Sequence, residues 1–294
     1  MFLILLGLIA LFLTIDTGPK QVNRVQAPTV RTQLDPPIST SNLDEQLKQI
    51  ADSHQGTYEA IVFDPASDKT VEVNSKHRFI AASLAKLPVL LTLYKSAARG
   101  QVSLDEKISI LPSDVQNYGT GVLNGYPVGS TMTLRKCASY LIKESDNTAW
   151  VMLERRLGTA HIEAELEDLG ADNTDYEALL TTPEDVLLML RAIADPSYTT
   201  QELSAEMLSL MTNTAYEDRL PASLPKDTRV AHKIGSYNST FSDAGIVFDK
   251  RPDGRKDNYF IVVVGRHTTE DEARDAIRQM SISTYESLVD PSTD

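Results

Sequence analysis

The placement of the strand-like runs constrains this chain more than any other feature. Near the start, residues 57–64 form an unbroken β-type run, Pro65-Ala66-Ser67-Asp68 is a turn, and residues 69–74 alternate, which predicts a hairpin. Three further runs, 229–237, 239–249 and 258–266, come late in the chain, with Asp253-Gly254 as the turn between the last two. Apart from an extended run at 104–111, everything between the two groups reads as helix or loop. Helical blocks cover 133–143, 148–157 up to Gly158, 160–169 up to Gly170, and 201–211, and Thr182-Pro183-Glu184-Asp185 opens another with Pro in its first turn and acids behind it. Two outer helices, 43–52 and 270–288, bracket the whole. Strands at both ends with helices between them predict an α+β fold. One antiparallel sheet is built from both chain ends, flanked by helices, with an inserted helical region.

The first 42 residues are of another kind. Phe2 to Ile15 is uninterrupted apolar sequence, too short for the roughly 20 residues of a spanning helix and suited to a signal-peptide core or a short anchor. No Lys or Arg precedes it, whereas Lys20, Arg24 and Arg31 follow. Residues 16–42, with Pro36-Pro37 and Ser39-Thr40-Ser41, lack the apolar content for a core and read as a linker. The expected organisation is a hydrophobic segment at 1–15, a linker at 16–42 and one domain at 43–294. It acts outside the cytoplasm, secreted or held at the membrane by its N-terminus, and as a monomer.

A net charge of −13 disfavours nucleic acid, and any anionic ligand must be met by local cations. The single cysteine, Cys137, allows no intrachain disulfide and reads as a core residue. No Cys/His cluster has metal-ligand spacing, so no metal or cofactor is implied, and the five scattered histidines suggest no triad. The chemistry lies elsewhere. Residues 79–90 read as the start of a helix that is apolar nearly all round and ends at Gly100, with Pro88 forcing an irregular start. Ser83 and Lys86, three apart, share a face of it. A serine hydroxyl needs a neighbour to take its proton, and a lysine serves when burial lowers its pKa. Residues 104–111 read as extended, and 113–132 as a long glycine-punctuated loop containing Tyr118-Gly119-Thr120-Gly121, of the length that often carries function.

Two more motifs follow: Ser145-Asp146-Asn147 at a helix end, and His232-Lys233-Ile234-Gly235 in a strand. With Ser83-x-x-Lys86, they resemble in order the Ser-x-x-Lys, Ser-Asp-Asn and Lys-Thr-Gly set of class A β-lactamases and penicillin-binding proteins. Supporting stretches are Thr181-Thr182-Pro183, Arg219-Leu220-Pro221 and Asp243-Ala244-Gly245. The resemblance implies that Ser83 attacks a carbonyl to form an acyl-enzyme and that Lys86 takes its proton. Ser145 then relays a proton to the leaving nitrogen, between Lys86 and Lys233, and Lys233 also faces the substrate carboxylate. Asn147 holds the substrate's side-chain amide, Gly235 and Ser236 line the strand that meets the substrate, and Tyr118 lines the cleft. The backbone N–H groups of Ser83 and Ser236 make the oxyanion hole.

Two departures bear on the subclass. Ile234 stands where the family carries a hydroxyl that helps hold the carboxylate, which leaves Ser236, Tyr237 or Arg219 to substitute. The loop ahead of Thr182-Pro183 is cut down to residues 172–180. Its Glu177 is either the base that activates the deacylating water or an exposed loop carboxylate, and the second is favoured because the scaffold that would place a base is missing. The expectation is a serine hydrolase acting on D-Ala-D-Ala peptides, β-lactams or both, with a peptidase-like bias. A true β-lactamase using Glu177 is the alternative, and a non-catalytic penicillin sensor is the reading from another class.

Overall fold

The computed structural model describes residues 40–250 and 256–289. The hydrophobic segment 1–15, the linker as far as residue 39 and the Asp253-Gly254 turn lie outside the described residues. Helix α1 (Thr40–Ser53) opens three residues ahead of the expected domain start at Leu43. Strands β1 (Thr57–Asp64) and β2 (Lys69–Val73) form the expected hairpin. After them come the two-residue strand β3 (Phe79–Ile80), a 3-10 turn (Ala82–Ala85) and α2 (Lys86–Ala98). Next are β4 (Lys107–Ser109), β5 (Thr131–Thr133), α3 (Leu134–Lys143), α4 (Asn147–Leu157) and α5 (Thr159–Leu169). Strand β6 (Leu180–Thr181) leads into α6 (Pro183–Ala194) and α7 (Gln201–Leu210). The chain closes with β7 (Arg229–Tyr237), β8 (Thr240–Lys250), β9 (Lys256–Arg266) and α8 (Glu270–Leu288).

The main sheet is antiparallel in the order β2-β1-β9-β8-β7. Strand β1 from the N-terminal side pairs with β9, Ile61 opposite Val262, so both chain ends meet in one sheet as expected. Alternation divides the sheet's side chains between two cores. Ala60, Val62, Val230, Val247 and Ile261 pack with Leu43 and Leu47 of α1 and Ile277 and Met280 of α8. Ile61, Ala231, Ala244, Ile246 and Val262 face the helical region, where α2 is buried along most of its length.

Helix starts follow their caps. Thr133, Asp146, Thr182, Thr200 and Thr269 each accept a backbone N–H three residues on, supplying one of the partners a helix N-terminus lacks.

The Ser83 segment departs from its reading as helix. Phe79 and Ile80 pair with Thr181 and Leu180, and the Ala81 N–H is taken by the Leu179 carbonyl at 2.8 Å. Those long-range bonds hold the chain extended, so the α-helix proper waits until Lys86, with Pro88 in its first turn where no donor is needed. The extended run 104–111 shortens to β4, paired with β5.

Candidate active site

Ser83 sits in the 3-10 turn, half-buried, directly after Ala82, whose φ is +48°. A left-handed alanine costs about 1–3 kcal/mol and persists only where its surroundings fix it. Here the fixings are the Ala81 bond to the neighbouring loop and the Leu84 N–H to Ala81 carbonyl bond at 2.9 Å.

Lys86, fully buried one turn on, points back at the serine. Its Nζ lies 2.9 Å from Ser83 Oγ, 2.6 Å from the Ser145 carbonyl and 2.7 Å from Asn147 Oδ1. The two carbonyl oxygens can only accept, so they take two N–H bonds. In its neutral form the amine keeps two N–H donors for these oxygens and a lone pair available to the Ser83 hydroxyl. Burial brings this form into the neutral pH range: it lowers the Lys86 pKa to about 7, against the raising pull of Asp146.

The second wall is a loop pinned to the start of α4. Ser145, also left-handed at φ +51°, is held through its carbonyl by Lys86 and by Thr120 Oγ1 at 2.7 Å. Asp146 is buried and accepts the N–H groups of Val122, Leu123 and Ala149 at 2.6–2.8 Å. Asn147 donates its N–H to the Thr120 carbonyl and its side-chain amide to the Tyr118 carbonyl. This packing explains both glycines of Tyr118-Gly119-Thr120-Gly121. A Cβ at Gly119 would strike the Asn147 amide and one at Gly121 the Asp146 carboxylate, and both have positive φ.

The third wall is β7, an edge of the sheet. Lys233 is buried, and its Nζ donates to Ser145 Oγ at 2.9 Å, so that hydroxyl sits between Lys233 and Lys86, the latter 3.2 Å away. Burial lowers the Lys233 pKa well below the lysine range and the Lys86 charge pushes the same way, with Asp243 pulling against them. Gly235 admits the Ser83 turn: a Cβ there would stand 2.8 Å from the Ala81 carbonyl and 2.6 Å from Ser242 Oγ. Arg219 is buried, and its guanidinium donates to the Gly235 and Ser242 carbonyls and, at 2.6 Å, to Ser236 Oγ.

All three motifs converge on one open cleft of about 1040 Å³. Ser83, Tyr118, Ser145, Asn147, Glu177, Arg219, Ile234 and Ser236 line it, with Lys86, Lys233 and Gly235 just behind. Tyr118 is 72% exposed at the mouth. Glu177 is exposed, and among the described residues no hydrogen bond or ion pair fixes its carboxylate. Its loop is tied down by the preceding residue instead. Trp150 Nε1 donates to Tyr176 Oη at 2.7 Å, and that hydroxyl donates to Glu154 Oε2 at 3.0 Å. Trp150, Glu154, Tyr176, Tyr216, Asp218 and Glu270 also line the cleft, although none of them belongs to a motif that marks a site in the sequence. Trp150 has a findable signal, three residues after Asn147 on one helical face. The 211–220 segment has no periodicity that could point to Tyr216 or Asp218.

Comparison with known proteins gives a consistent picture. Residues 42–288 match the model of a family described as the beta-lactamase enzyme family. A beta-lactamase of Bacteroides uniformis is 25% identical over 84% of this chain and 92% of its own length. Beta-lactamase VEB-1 of Pseudomonas aeruginosa is 24% identical over 67% and 72%. The structure of PBP-A superposes with a TM-score of 0.77 at 27% identity, covering 84% of this chain and 96% of that one. A PBP-A variant in acyl-enzyme complex with penicillin G matches equally well, with a TM-score of 0.77.

Proposed function

The chain belongs to the beta-lactamase enzyme family, as a class A-like serine hydrolase, and from that premise we propose that Ser83 is its nucleophile and forms the acyl-enzyme. The observation that carries this reading is the buried Lys86 Nζ, 2.9 Å from Ser83 Oγ and bonded to two obligate acceptors, the Ser145 carbonyl and Asn147 Oδ1. Lys86 takes the serine proton as Oγ attacks the carbonyl carbon. Ser145, hydrogen-bonded to Lys233 and within reach of Lys86, passes a proton to the leaving nitrogen. The N–H groups of Ser83 and Ser236 hold the oxyanion, and Asn147 meets the substrate's amide. Arg219 serves the carboxylate through Ser236. Its donation fills an acceptor position on the Ser236 hydroxyl and leaves that O–H free to donate to the anion in place of the hydroxyl that Ile234 lacks.

The favoured substrates are peptides ending in D-Ala-D-Ala, with β-lactams acylating the same serine and leaving slowly. Support comes from Glu177, an unfixed carboxylate on a short loop, since a deacylating base must hold its water within hydrogen-bond reach. The second reading, a β-lactamase that uses Glu177, is favoured by the position of Glu177 in the same cleft as Ser83. Such substrates put the domain outside the cytoplasm, exported or anchored by the apolar run 2–15.

Intact mass during incubation with benzylpenicillin tests this. A lasting adduct on the wild type and none on Ser83→Ala is expected. A transient adduct with drug consumed moves the assignment to β-lactamase. No adduct on the wild type refutes the role of Ser83 toward penicillins.

A further inference from the structure

Next to Lys233 in the strand, but on the opposite face, His232 is fully buried. Its Nδ1 lies 2.9 and 3.0 Å from the two carboxylate oxygens of Asp243 on β8, and its Nε2 lies 3.2 Å from Glu217 Oε1. A neutral imidazole has one N–H, whereas two carboxylates, which only accept, require two. Only the imidazolium serves both carboxylates, while the Thr214 hydroxyl also lies 3.5 Å from Nε2. Both partners are held from their own sides. Asp243 accepts the Leu220 N–H at 3.0 Å, and Glu217 accepts the N–H and hydroxyl of Thr214. The His232 backbone N–H also donates to the Met211 carbonyl at 2.8 Å. The cluster thus fastens the segment 211–220 to β7 and β8. That segment carries Tyr216, Asp218 and Arg219 into the cleft.

We propose that His232 is a positioning residue: as an imidazolium bridging Asp243 and Glu217, it locks the cleft-wall segment onto the strand of Lys233 and so sets how tightly the site holds a substrate carboxylate. The proposal rests on the acyl-transfer reading only for what the cleft binds. Burial alone would discharge the ring, but Asp243 and then Glu217 outweigh it and raise its pKa to about 9. The clamp is complete below that point and opens as pH rises through it. Other charged groups on the surrounding elements are Lys233, its neighbour in the strand, Arg219, two residues after Glu217, Lys143 of α3, which donates to the Thr212 and Asn213 carbonyls, and Arg278 and Arg274 of α8, which hold Asp218. Lys233 is an independent titrating group, so a pH profile alone does not suffice.

The test uses the full chain. Ring-nitrogen NMR of histidine-labelled protein should show both His232 nitrogens protonated at neutral pH. His232→Gln strands the Asp243 charge and risks misfolding, so Glu217→Gln, at the exposed partner, is the working variant. It should lower the pH at which the ring loses its proton. Benzylpenicillin affinity is measured in the Ser83→Ala background, where no acylation is needed. Glu217→Gln should raise Kd roughly tenfold at the pH where only the variant's ring has discharged, and leave it unchanged where both rings are charged. A purely structural role predicts the same Kd ratio at every pH. A singly protonated ring at neutral pH, equal affinities throughout, or no binding to the Ser83→Ala protein overturns the proposal. A wild type that binds penicillin without ever being acylated refutes the nucleophile instead, and the affinity shift still supports the clamp.

Discussion

The state of Lys86 makes the most direct prediction. An ordinary lysine titrates near 10.4, and a base with that value would gain activity about tenfold per pH unit up to about pH 10. Burial behind Ser83, with Nζ bonded to the Ser145 and Asn147 oxygens, brings the group to about 7. The neutral fraction then falls from one half at the midpoint to about 1% two units lower. Acylation by benzylpenicillin, followed by intact mass in stopped samples, should be about 100-fold slower near pH 5 than on its plateau, and the plateau should be reached by about pH 8. Lys86→Arg fixes the charge and should cost ~10²–10⁴ in rate, with no limb near neutrality. A rate still climbing tenfold per unit above about pH 8, or a Lys86→Arg variant that keeps the wild-type limb, would refute Lys86 as the base.

Other perturbations follow from particular contacts. Gly121→Ala forces a side chain into φ +122° against Asp146 and should cost roughly 1–3 kcal/mol or more, read as a lower Tm, with acylation impaired because Asn147 hangs on the same loop. Tyr176→Phe leaves the Trp150 N–H and the Glu154 carboxylate without their shared partner, so a loss of about 1–3 kcal/mol is expected in denaturant melts, and an unchanged midpoint would contradict the network. Glu177→Gln should leave the lifetime of the penicillin adduct unchanged, whereas a clear lengthening would make Glu177 the deacylating base. Stability should also move with pH through Lys86. Its folded value lies below the unfolded one, so the unfolded state binds more protons between about 7 and about 10.4, and stability rises with pH across that window. In Lys86→Met, the difference from wild type should shrink as pH climbs, and a constant difference would argue against a depressed Lys86.

Much of this molecule is legible in its sequence because it depends on neighbours a few residues away. Strand β7 and helix α8 run where pattern and caps put them, and Thr182-Pro183 starts α6 for reasons that lie within its own first turn. Three short motifs point to the residues that line the cleft. The turn that carries Ser83 is not legible in this way. An apolar run such as 79–90 suits a helix, and only pairing with Leu180 and Thr181, about 100 residues on, holds its first residues extended. The left-handed backbones of Ala82 and Ser145 have no glycine to announce them, because bonds from distant segments impose them. Charge states are hidden for the same reason. A lone histidine beside a lysine suggests nothing until the fold brings Asp243 and Glu217 to its two nitrogens. Lys86 is an ordinary lysine in sequence, and its pKa falls only where tertiary burial strips its water. Local pattern determines where elements start and stop, whereas burial and long-range pairing decide which groups are charged, strained and within reach.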